Sequence, residues 1–284
     1  MMPSELFLRN QRLDTDVPRV MGILNATPDS FHAGSRVTWD AAAELACNMV
    51  AEGASLLDLG GQSSRPGASL VGAQEEWRRI QPALEAIRTA LPDVPISIDT
   101  FHSEVARKAI EGGADMVNDI SAGTVDPELP LFVAECGVPY AIMHMKGLPE
   151  TMQDQPTYGH VVNEVYGFLK ERCDTFRELG IHQIMVDPGF GFGKRIQHNY
   201  QLLQHLPVFA DLGHPVLAGM SRKSMVHKAL DCTSEEALNG TTALHAWALD
   251  RGAHWLRVHD VRPAVECIRL HQYLRAAASE RNDD

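Results

Sequence analysis

The sequence predicts a (β/α)₈ barrel, and three of its features do so. Eight short apolar runs recur along the 284 residues, amphipathic stretches of helical spacing separate them, and the runs end on polar side chains. Near-continuous apolar strands belong to parallel sheets buried on both faces, because the crossovers between them lay helices over the sheet. Eight such units in a chain of this length favour a closed barrel, which takes about 250 residues, over an open doubly wound sheet. We expect one domain over residues 1–284, with the barrel core at about 18–278.

The first run, RVMGILN from Arg19, is bounded by Pro18 and ends on Asn25. It is followed by a connection to about Thr38 that is long for a compact α/β unit, and residues 26–36 are therefore expected to act as a lid over the barrel mouth. A helical segment at 40–52 leads to the second run, SLLDLGG from Ser55, and a segment at 74–91 to the third, PISIDT from Pro95. The segment 104–112 precedes DMVNDIS from Asp115, which is followed by YAIMHM from Tyr140. The segment 158–179 precedes IMVDPG from Ile184, and PVLAGMS from Pro215 comes next. The segment 234–251 leads to the eighth run, WLRVHD from Trp255. In each of these helical segments apolar residues recur at three- and four-residue intervals, which puts them on one face.

The ends of the runs carry Asn25, the stretch Gln62 to Arg65, Asp99, Asn118 with Asp119, His144, Asp187, Ser221 to Lys223, and Arg257 with His259. A barrel brings all of these to one mouth, where barrel active sites are built. So many converging charges and amides need partners or a ligand. Asp119 and Asp260 are read as local caps rather than site residues.

With 25 Lys and Arg against 37 Asp and Glu, the net charge of −12 disfavours nucleic acid and anionic membranes as partners, so an anionic substrate would need local cations. An apolar share of 44% and a charged share of 22% are those of an ordinary globular protein, without low-complexity tracts or internal repeats. The odd set Cys47, Cys136, Cys173, Cys232 and Cys267, without CxxC spacing, reads as reduced thiols. The N-terminus lacks a signal-like apolar stretch and no run is long enough to span a bilayer, so the expected location is the cytoplasm. Asn25-Ala26-Thr27, followed by Pro28, is a chance sequon.

GFGFGK, from Gly189, is not a phosphate loop: Pro188 stands where its first glycine would be and Arg195 where a magnesium-binding hydroxyl would be. Its glycines instead suit close backbone approach to a flat ligand, with Phe190 and Phe192 offering faces. Neither HExxH nor zinc-type spacing occurs among the 13 histidines and the cysteines. In GQSSRPGA, Arg65 sits in a stiff loop suited to an anion, and in SRKS either Arg222 or Lys223 points inward.

GILNATPDSF, DLGGQSSRPGA, SIDT, NDIS, VDPGFGFGK, GMSRKS and RVHDV, taken together and in this order from Met21 to Val261, closely resemble the dihydropteroate synthases of folate biosynthesis. The resemblance implies condensation of p-aminobenzoate with a dihydropterin-methyl diphosphate, with magnesium as cofactor and a homodimeric assembly through the later helices. It implies that Asn25, Ser64, Arg65, Asp99, Asn118, Asp187, Lys223, Arg257 and His259 bind pterin and diphosphate. Ser64, Pro66, Phe192, Lys223 and Ser224 would take p-aminobenzoate, and Asn25 would be the metal-linked residue. Arg65, Asp99, Lys223, Arg257 and His259 would act in catalysis, with the bond to diphosphate breaking before the aniline attacks.

Three positions depart from the family pattern. Gln62 replaces a usual Glu and Ser64 a usual Thr, both keeping a hydrogen-bonding group, while Ala33 replaces an aspartate of the first loop, beside His32. The last change points to slower turnover or weaker p-aminobenzoate binding. Two alternatives follow: a pterin-dependent methyltransferase acting on a corrinoid, which has no use for a diphosphate clamp, and a catalytically weakened pterin-binding protein. Late in the chain, the helical segments at 234–251 and 264–278 carry Leu244, Trp247, Leu270 and Tyr273, candidates for barrel packing or for an interface.

Overall fold

A computed structural model describes residues 6–9, 11–13, 16–26, 36–62, 69–148, 150–152 and 156–279. Eight parallel strands form its centre: β3 (Arg19–Asn25), β4 (Leu56–Gly60), β5 (Ile96–Asp99), β6 (Met116–Asp119), β7 (Tyr140–Met143), β8 (Ile184–Asp187), β9 (Leu217–Ala218) and β10 (Trp255–Val258). Each of the eight runs read from the sequence supplies one of them. Their order is sequential from β3 to β8, and β10 lies between β3 and β9. The short β9 touches β8 through a parallel bridge, Val186 with Val216, and the Val186 amide donates to the Pro215 carbonyl at 2.9 Å, so the barrel is nearly closed. The helices wrap the outside, and the main core fills the layer between strands and helices.

A hairpin that the sequence reading did not anticipate, β1 (Leu6–Leu8) with β2 (Gln11–Leu13), plugs the N-terminal end of the barrel. Three-residue strands are too short to show a period. Leu6, Leu8 and Leu13 complete an interior layer with Met21, Leu56, Met116, Ala141, Met185, Leu217 and Trp255. The Phe7 amide donates to Gln183 Oε1 at 2.7 Å, and Arg9 to Asp115 Oδ1 at 3.0 Å, tying the hairpin to the starts of β8 and β6.

The helices are α1 (Arg36–Glu52), α2 (Ala73–Ala90), α3 (Ser103–Glu111), α4 (Glu128–Cys136), α5 (Val161–Glu178), α6 (Ile196–Gln204), α7 (Ser224–His227), α8 (Leu238–Asp250) and α9 (Val261–Ser279), with a 3₁₀ helix at Leu206–Leu212. Six of them match the expected segments: α1, α2, α3, α5, α8 and α9. The fourth and sixth were not anticipated: α4 is apolar on most sides and shows little amphipathic contrast, while α6 is a nine-residue amphipathic helix just after GFGFGK. Leu244 is barrel packing, whereas Trp247, Leu270 and Tyr273 are exposed on α8 and α9. The five cysteines are free thiols, and no helix among the described residues is long and apolar enough to cross a membrane.

Candidate active site

Strand side chains alternate, so the residues two positions beyond the interior apolar layer also point into the barrel. From Leu56, Ser97, Met116, Met185 and Trp255 this step leads to Asp58, Asp99, Asn118, Asp187 and Arg257. These five form a polar tier above the apolar plug. Arg257 bridges two carboxylates in it: Nε donates to Asp58 Oδ2 at 2.7 Å and Nη2 to Asp99 Oδ2 at 2.6 Å. Asn118 Nδ2 donates to the same Asp58 oxygen at 3.0 Å. Burial pushes Asp99 up to about 7 against the pull of Arg257, and burial likewise raises Asp187, opposed by Lys223. Gly60 permits the tight β4 to β5 contact, since a Cβ there would lie 3.3 Å from that of Asp99.

Lys223 enters from the opposite wall, immediately before α7. Its Nζ donates to the Phe190 carbonyl at 2.8 Å and lies 4.7 Å from the centre of the Phe192 ring, a cation–π contact. A Cβ on Gly219 would sit 3.4 Å from Lys223 Nζ, 3.6 Å from Asp187 Oδ2 and 3.8 Å from Arg257 Cβ, so this glycine leaves room where the three converge. Burial lowers Lys223 to about 8. The inward cation of SRKS is thus lysine. Arg222, in a left-handed backbone conformation, turns away to pair with both oxygens of Asp260 at 2.7 and 2.8 Å.

The loop after β8 is held by Lys194. Its Nζ meets the carbonyls of His144, Gly189 and Phe192 and the His144 Nδ1, all within 3.1 Å. Burial holds the Lys194 ammonium well below the usual lysine range, and burial together with Lys194 lowers His144 to about 3. Gly189 must be glycine: its φ is 75° and a Cβ would collide with the His144 carbonyl oxygen. The expected pair of aromatic faces is corrected here. Phe190 is buried in the outer core and offers its carbonyl, while Phe192 alone presents a ring to Lys223.

At the rim, His259 Nδ1 and Ser221 Oγ are 3.0 Å apart, and although His259 is exposed at the surface, the protein packed around its ring and the nearby Arg257 charge lower it from the usual histidine range. Ser224 opens α7, and Asn25 stands at the tip of β3 opposite Gly60. Asp119 accepts from Ser121, Gly123 and Tyr140 and serves local structure, whereas Asp260 is not a local cap: it accepts from Arg222, 38 positions earlier. Gln62 accepts from the Val71 amide at 3.0 Å. Ser64, Arg65, Pro66, the lid at 27–35, His32 and Ala33 lie outside the described residues.

The sequence reading missed Asp58, Lys194 and Glu76. Asp58 lies inside an apolar run, two residues before Gly60, and stepping by two from Leu56 would have found it. Lys194 was set aside with the rejected phosphate loop. Glu76 looks like first-turn helix charge, yet it is buried, accepts from Thr100 Oγ1 at 3.0 Å, and is pushed by burial to about 8.

A barrel whose mouth gathers carboxylates, an amide and inward cations is built as a binding site for a polar ligand. Residues 21–259 match the family of pterin-binding enzymes. The chain is 42% identical over 271 residues to the dihydropteroate synthase of Haemophilus influenzae, covering 94% of this chain and 98% of the relative. It superposes on the Yersinia pestis dihydropteroate synthase solved with a sulfonamide drug at a TM-score of 0.90, with 39% identity over 96% of this chain and 99% of that one. Against the Xanthomonas albilineans dihydropteroate synthase solved with 4-aminobenzoic acid the TM-score is 0.89, with 42% identity over 97% and 99% of the two chains. The chain belongs to the dihydropteroate synthase family of pterin-binding enzymes.

Proposed function

We propose that the chain condenses p-aminobenzoate with (7,8-dihydropterin-6-yl)methyl diphosphate, giving 7,8-dihydropteroate and diphosphate, as a transferase of folate biosynthesis and a sulfonamide target. The polar tier carries this reading: Asp58, Asn118 and Asp187 are buried and Asp99 and Arg257 half-buried, and so many largely desolvated polar groups call for a polar heterocycle. The relatives are dihydropteroate synthases, which favours this activity over a methyltransferase or a weakened pterin binder.

In this reading Asp187 and Asn118 recognise the aminopyrimidine edge, Asp99 lies beside them, and Lys223 donates to the carbonyl side of the ring. The Arg257 guanidinium, held by two carboxylates, stacks on the heterocycle. Carboxylates around the pterin stabilise positive charge as the diphosphate leaves, and Arg65, Ser64, His259 and Asn25 take up the negative charge. No side chain forms a covalent intermediate. Ser64, Pro66, Phe192, Lys223 and Ser224 receive the aminobenzoate, with its carboxylate at Ser224.

Magnesium fits the donor set as an ion shared with the diphosphate rather than held in a protein cage. Asn25 supplies one hard amide oxygen, and the described residues hold no cluster of three His, Cys, Asp or Glu for a metal. When bound, the ion neutralises charge on the leaving diphosphate. We further propose a cytoplasmic homodimer joined through α8 and α9, where Trp247, Leu270 and Tyr273 are exposed.

The test is formation of dihydropteroate from the two substrates with magnesium, repeated after chelation and with Asp187→Ala and Arg65→Ala. We expect turnover that the chelator abolishes and that each substitution lowers by about 100-fold or more. Full activity in both variants would overturn the assignment.

A further inference from the structure

Asp58 is fully buried beneath the mouth, and one of its oxygens, Oδ2, serves two site residues at once: Arg257 Nε at 2.7 Å and Asn118 Nδ2 at 3.0 Å. Its other oxygen, Oδ1, has no partner among the described residues. A carboxylate paired with a guanidinium is an acceptor and has no proton to give. The group that Asn118 turns toward it must therefore be its NH₂. The reversed amide would set two oxygens against each other in a buried position.

This fixes more than a rotamer. The two ends of an asparagine amide have opposite hydrogen-bonding character, so whichever end is engaged behind the site decides what the other end offers in front. We propose that Asp58 is a positioning residue that sets ligand specificity: by engaging Asn118 Nδ2 it leaves Asn118 Oδ1 as an acceptor, so that the mouth selects a heterocycle bearing an exocyclic amine over one bearing an oxo group there. The inference rests on the pterin reading above and deepens it. The same carboxylate, with Asp99, fixes the Arg257 plane, so the stacking surface and the hydrogen-bonding edge share one anchor.

Calorimetry with two probes tests it: pterin (2-amino-4-oxopteridine) and lumazine (2,4-dioxopteridine), each titrated into the parent protein and into Asp58→Asn. Asparagine keeps the size of the side chain, but its NH₂ can donate to Asn118 Oδ1 and let that amide turn round. Asp187 is the same in both proteins, so its own preference for the amine cancels in the comparison. We expect the preference for pterin over lumazine to fall about tenfold or more in Asp58→Asn. A preference unchanged within about twofold would overturn the proposal while leaving the pterin reading intact. A parent protein that binds neither probe would overturn both. If Asp58→Asn does not fold, side-chain amide exchange in the ¹⁵N-labelled parent decides the matter. Asn118 Nδ2 protons already protected without ligand support the proposal, and protection gained only on adding pterin overturns it.

Discussion

At the scale of single residues, Lys223 carries the sharpest expectation. Burial brings its ammonium down to about 8, so an activity that needs the cation is complete below that pH and declines above it. Lys223→Arg keeps the charge at every accessible pH and is expected to remove this alkaline limb from a profile of kcat/KM against pH, at a lower plateau. Lys223→Ala is expected to weaken pterin binding or turnover by about tenfold or more, and full turnover with unchanged pterin affinity would refute the role. The residues that strand ends revealed, Asp99, Asn118, Asp187, Lys223 and Arg257, do converge. Asp58 escaped because a charge inside an apolar run looks like an interruption until the strand's period assigns it to the inner face.

At the scale of elements, α2 presses a carboxyl onto the end of β5. Glu76 accepts from Thr100 and is held by burial at about 8 instead of 4.5. Below about 4.5 both folded and unfolded chains are protonated there, and as pH rises toward 8 the unfolded chain releases the proton first. Stability is lost over that window at about 1.4 kcal/mol per pH unit, on the order of 3 kcal/mol by pH 7. Glu76→Gln is expected to unfold at higher urea than the parent at pH 7, with the gap vanishing below pH 4.5. The sequence placed all eight barrel strands because each buries both faces, whereas α4, apolar on most sides, lacked the one-sided pattern that marks a surface helix.

At the scale of the whole molecule, the barrel separates stability from chemistry along its axis. The apolar plug, including Leu8 of the hairpin, lies at the N-terminal end, and the polar tier lies at the other. Leu8→Ala leaves a cavity in that plug and is expected to cost about 2–4 kcal/mol in chemical denaturation, with kcat/KM unchanged in the folded protein. A comparable loss of kcat/KM would mean that the two ends are coupled.

The sequence by itself determined the barrel and the polar residues around its mouth, because burial on both faces and the polar strand ends are local properties of the chain, while the reaction class came only through the resemblance that its motifs carry to a known family. It left two choices open that only the tertiary structure decided. Of Arg222 and Lys223, the lysine faces inward because Asp260, from the end of the next strand, captures the arginine. Asn118 turns its NH₂ toward Asp58, sixty positions earlier, because Arg257 makes that carboxylate an acceptor. Both depend on charges brought together from different strands, and no local pattern records such a meeting.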